Sequence, residues 1–160
     1  QMKENIDVIM VQTRRHMNDF VNVPKFIYSH QEQYVPDLDS DVRNLFNPKK
    51  NPGMKFSVIQ PFVAYQHEVP VGRIVGIVNK KANERWQTKN VRFSMIEFID
   101  DMRLIQSASI MSTGFMFEYE VSQTGIITLV EGDISMEIDG NKLYFFDPDG
   151  NLQVIYTRKK

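Results

Sequence analysis

The 160-residue chain has no cysteine. That excludes a disulfide framework, a thiolate nucleophile and a cysteine-bound metal. Histidine is scarce: His16, His30 and His67 stand far apart, so no metal is expected. No apolar run approaches the roughly 18 residues that suggest a membrane-spanning helix. The opening segment, Gln1 to Asp7, lacks a signal-peptide core. A cytoplasmic chain with no membrane partner is therefore expected. An excess of one charge sign is also missing. There are 19 Lys and Arg against 20 Asp and Glu, a net charge of −1. That balance lacks the basic footprint of a nucleic-acid binder, so no nucleic-acid partner is expected.

What is present looks like an ordinary folded protein. Hydrophobic residues make up 42% and charged residues 24%, which argues against disorder. The length suits one domain with a substantial core, and no fixed-period repeat is visible. Met (nine residues) is spread along the chain, as core filling requires.

Hydrophobic spacing gives the elements. Residues 6–12 form a short apolar run that reads as a buried strand. Thr13 is placed as an N-cap for a helix whose face carries Met17, Phe20 and Val21. Pro24 should interrupt it and start a second short helix through Phe26, Ile27 and Tyr28. A small helix with Val42, Leu45 and Phe46 follows, ended by the turn-forming stretch Asn47–Gly53. Strands are expected at 58–65, 69–78 and 91–99, with a hairpin at Gln66–Glu68. Gly72 and Gly76 signal a bulge or a close backbone approach. Residues 79–90 read as a loop with a helical turn. Asp101 is placed to cap a helix over 102–113, ended by Gly114. Short strands and hairpins follow, with turns at Asp139-Gly140 and at Asp147 to Gly150. The expectation is an α+β fold with a mixed, mainly antiparallel sheet and two to four helices. It is read as one domain, 1–160, with halves 1–101 and 102–160.

Several strings in the first half occur in a telling order. They are Tyr34-Val35-Pro36-Asp37-Leu38, Asn47 to Gly53, Phe62-Val63-Ala64-Tyr65, Val71-Gly72-Arg73-Ile74, Asn79 with Asn83 and Trp86, and Phe98-Ile99-Asp100-Asp101. Over about residues 6–101 the chain resembles an uncharacterised branch of the GCN5-related N-acetyltransferase (GNAT) family. The resemblance implies an acetyltransferase-like N-terminal half, acetyl-CoA as cofactor, and a small-molecule amine acceptor attacking the thioester directly. After Asp101 it ends. The string Tyr144 to Leu152, with its Asp-Pro-Asp-Gly-Asn turn, resembles the last hairpin of glyoxalase/bleomycin-resistance (vicinal oxygen chelate) domains. Those domains place a metal-binding Glu where this chain has Val154, so no metal site is implied. The alternative function is a non-catalytic small-molecule-binding or homodimer-forming module of that type. A third reading is a truncated, recombinant or engineered chimera without evolved activity.

The acetyltransferase resemblance implies site residues. Ile96, Phe98, Ile99, Asp101 and Arg103 stand at the strand and helix start where the cofactor pyrophosphate would meet backbone N–H groups. The family's usual Arg/Gln-x-x-Gly-x-Gly/Ala loop is absent, and Asp100 and Asp101 repel phosphate. Glu97, flanked by Ile96 and Phe98, is the candidate general base, its simpler reading being a solvent-facing strand residue. Tyr119 or Tyr144 is placed as general acid, with Tyr119 the choice. Arg73 is expected to meet a phosphate or carboxylate of the substrate, its simpler reading being a guanidinium on a solvated face. Trp86 is expected to stack on a ligand, its simpler reading being a lid packed over the sheet.

Overall fold

The computed structural model describes residues 6–99, 116–131, 134–140, 142–146 and 149–158. Within them the first half runs β1 (Ile6–Met10), α1 (Arg14–Ile27), α2 (Asp39–Asn44), a 3-10 turn (Pro52–Lys55), β2 (Ser57–Gln66), β3 (Val69–Asn79), α3 (Lys80–Trp86) and β4 (Asn90–Phe98). Among the described residues of the second half the elements are strands: β5 (Met116–Val121), β6 (Ile127–Glu131), β7 (Ile134–Asp139), β8 (Lys142–Phe146) and β9 (Leu152–Arg158). This is an α+β fold with a mainly antiparallel sheet. Strands from both halves pair in chain order, and the sheet closes into a barrel where β9 runs parallel to β1. Among the described residues, no helix is long and apolar enough to cross a membrane. The helix expected over 102–113, with Asp101 as its cap, lies outside the described residues.

Period-two alternation divides the core into two layers. One set of side chains fills the barrel: Ile6, Val71, Leu129 and Met136 are buried, with Val91, Phe93 and Phe98 packed against them. The other set lies between the sheet and the helices. There Phe20, Val21 and Val23 of α1 meet Val63 and Tyr65 of β2 and Val75 of β3. Phe46, beyond α2, closes edge-on over Phe20 with ring centroids 5.3 Å apart.

Thr13 caps α1 as expected, its hydroxyl accepting from the His16 amide at 3.1 Å. Pro24 does not break the helix, which continues through it to Ile27. A proline inside a helix has no N–H for the carbonyl four residues earlier. Here that carbonyl belongs to Phe20, and Arg73 Nη1 donates to it at 3.1 Å. The turn beyond is held by the Tyr28 amide donating to the Pro24 carbonyl at 2.9 Å.

The stretch expected to be mostly loop after β3 contains a seven-residue helix, α3. Asn79 caps it by accepting from the Ala82 amide at 2.9 Å. Asn83 then ties it to β4, donating to the Asn90 carbonyl at 3.0 Å and accepting from the Asn90 amide at 3.1 Å. These short-range polar contacts explain why a helix with no buried residue forms where apolar periodicity is absent.

Candidate active site around Arg73 and Glu97

The site begins with two irregularities in the sheet. Between β3 and β4 the register pairs Arg73 with Glu97 but Val75 with Ser94. Ile74 therefore faces two residues, Met95 and Ile96, and Met95 takes a left-handed φ of +52°. Such a bulge bends the strand and removes a residue from regular pairing. Immediately beside it, Gly72 lets β4 approach closely. A Cβ there would lie 3.1 Å from the Glu97 carbonyl oxygen and 3.2 Å from the Phe98 Cβ.

Arg73 and Glu97 consequently stand opposite each other on the helix-facing side of the sheet. Arg73 Nε donates to Glu97 Oε2 at 2.8 Å, and Nη2 lies 2.7 Å from the same oxygen. Both of these guanidinium contacts fall on Oε2. Arg73 is not on a solvated face: it is only 6% exposed, whereas the Glu97 side chain reaches solvent. Its guanidinium also lies over the Phe20 ring, 4.9 Å from the centroid. With the Phe20 carbonyl, these contacts hold a buried cation that would otherwise be costly.

Tyr34 borders the pair, and Tyr65 lies in the same helix-facing core. Burial first, then the negative charge of Glu97, raises the pKa of Tyr34 above the usual phenol range; Arg73 opposes this. The Tyr34 ring packs against Tyr28, centroids 4.7 Å apart. Tyr65 donates to Asp19 Oδ2 at 2.7 Å and links β2 to α1. Burial, then the hydrogen bond to Asp19, pushes its pKa far above the ordinary range. Both phenols are neutral at physiological pH.

The sequence-nominated residues separate in space. Arg73 and Glu97 come together. Ile96 stands in the bulge beside them. Phe98 and Ile99 pack against the barrel core, and the Ile99 amide donates to the Val71 carbonyl at 2.9 Å. Tyr119 lies on β5 and packs against the same barrel core. Trp86 is not a lid over the sheet: it is 69% exposed at the end of α3, with Arg85 above its ring. Asp101 and Arg103 lie outside the described residues. Among the described residues, no group of three or more His, Cys, Asp or Glu is placed to hold a metal.

Sequence reasoning missed Tyr34, Phe20 and Pro24 as parts of this cluster. Tyr34 stood inside a string already singled out, and a proline within an apolar helical face was the available sign of an open carbonyl.

The chain is similar to Protein YghO of Escherichia coli (strain K12), with 32% identity over 95 residues. That match takes in 58% of this chain and 24% of the relative, so the matched region spans about a quarter of the relative's length. No family model matches the chain. No solved structure matches it.

Proposed function

We propose that this protein is an acyl-CoA-dependent N-acyltransferase, or a degenerate relative of one, acting on a small-molecule amine in the cytoplasm. The observation that carries the reading is the Glu97 carboxylate, fixed by Arg73 beside a bulged segment of β4. The bulge fits the acyl end of such a cofactor, because residues outside regular pairing have main-chain groups available to a thioester carbonyl. Ile96, in the bulged segment, is the residue proposed for that contact. Acyl-CoA would supply an activated acyl group as its thioester. Glu97 accepts the proton of the attacking amine, directly or through one water. Tyr34, neutral and close enough to feel the Glu97 charge, is a second proton-carrying group at the same place. Arg73 orients Glu97 rather than meeting substrate.

The reading is tested by acetyl transfer from acetyl-CoA to a panel of primary amines, followed by mass spectrometry. Wild type should acetylate at least one amine. E97Q should slow transfer by about a hundredfold or more, the ordinary worth of a general base. Equal rates in E97Q and wild type would remove Glu97 from the chemistry.

The closed sheet supports a second reading, a non-catalytic small-molecule-binding or homodimer-forming module of glyoxalase/bleomycin-resistance type. An obligate dimer in solution with no response to acetyl-CoA favours it; a melting temperature that rises with acetyl-CoA contradicts it.

A further inference from the structure

The near-zero net charge conceals an uneven distribution. The run 49–58 carries Lys49, Lys50 and Lys55 and no acidic residue. The run 79–92 carries Lys80, Lys81, Arg85, Lys89 and Arg92, with Glu84 as its one acid. All of these cations are exposed. The fold brings the two runs to one end of the sheet. Ser57 pairs with Asn79, the Lys80 amide donates to the Phe56 carbonyl at 2.9 Å, and Arg92 pairs with Ile77. Glu84 and, on neighbouring β5, Glu118 and Glu120 border this end and leave the cations in excess.

Large apolar side chains stand exposed among these charges: Phe56 at 42%, Val58 at 46% and Trp86 at 69%. Lysines around exposed aromatic and aliphatic groups suit a surface with anionic headgroups outside and acyl chains beneath. We propose that this end of the sheet docks on an anionic lipid bilayer. The sequence pointed away from a membrane because it has no apolar run long enough to span one, and a docking surface needs no such run. Single-stranded nucleic acid is a poorer fit, since it requires open aromatic faces in series. Arg85 covers one face of Trp86, its Cζ 5.4 Å from the ring centroid, and Val58 offers no ring.

Trp86 is the single tryptophan of the chain, so its emission reports from the patch itself. The test titrates the full chain with vesicles of phosphatidylcholine alone, and of phosphatidylcholine and phosphatidylserine at roughly two to one. The expected result is a blue shift and co-sedimentation with the anionic vesicles only, reversed near 1 M salt. K80Q and K81Q should each weaken binding about fivefold, from the approximate contribution of one basic residue near such a surface. These positions are exposed, so circular dichroism should not change. Absence of binding to anionic vesicles, equal binding to neutral ones, or no effect of K80Q and K81Q overturns the proposal. So does a shift produced by oligothymidylate but not by vesicles, which assigns the patch to nucleic acid.

Discussion

Arg73 Nη1 donates to the Phe20 main-chain carbonyl at 3.1 Å, the carbonyl that Pro24 leaves without its intrahelical donor. A helix defect and a buried cation thus satisfy each other. The same guanidinium then holds Glu97 on the next strand.

Truncating one member of this pair should cost more than removing both. R73M leaves Glu97 without its cation and the Phe20 carbonyl without a donor, so it should destabilise by about 3–5 kcal/mol in urea denaturation. R73M/E97L should recover much of that loss, because two apolar side chains need no partners. A double variant no more stable than R73M would contradict the pairing.

Pro24 should couple to Arg73. In the R73M background, P24A supplies an N–H to the open Phe20 carbonyl; in wild type that carbonyl already has Arg73. The double-mutant cycle should therefore show P24A more favourable in R73M than in wild type by about 1 kcal/mol. A coupling of zero would mean that the proline and the arginine are independent.

Tyr65 gives a pH signature. Its folded pKa is raised above the unfolded value of 10.0. Its contribution is then fully present below pH 10 and declines as pH rises above it, through the higher folded pKa. Tyr34 is shifted in the same direction and adds to the trend. Y65F should cost about 1–2 kcal/mol at neutral pH, by losing the Asp19 hydrogen bond. It should also flatten the alkaline decline in a stability series from pH 8 to 11.

The β2–β3 hairpin is under local strain. His67 and Glu68 form its two-residue loop with φ of +50° and +65°, a conformation that Asn and Gly adopt more readily. E68G should raise stability by about 1 kcal/mol, since the left-handed penalty is relieved. An unchanged or lower melting temperature would show that Glu68 makes an offsetting contact.

Much of the framework was legible in the residues. Alternating apolar positions marked β2, β3 and β4, and Thr13 marked the start of α1. The α3 helix was not legible as such, because side-chain hydrogen bonds from Asn79 and Asn83 hold it. The continuation of α1 through Pro24 depends on Arg73, far away in sequence, so no local rule foretells it. Glu97 and Arg73 were each nominated singly, but their pairing requires the strand register and the bulge at Met95. Tyr34 entered the site through tertiary proximity. Trp86 read as a packed or stacking residue because sequence does not report exposure.

The acyl-CoA reading is tested most directly by the melting temperature of the full chain as acetyl-CoA is raised to millimolar concentration. A ligand bound only by the folded state stabilises it by RT ln(1 + [L]/Kd), about 2.7 kcal/mol at a hundredfold excess over Kd. The account predicts a melting temperature that climbs with acetyl-CoA concentration; a melting temperature unmoved at millimolar acetyl-CoA would contradict it.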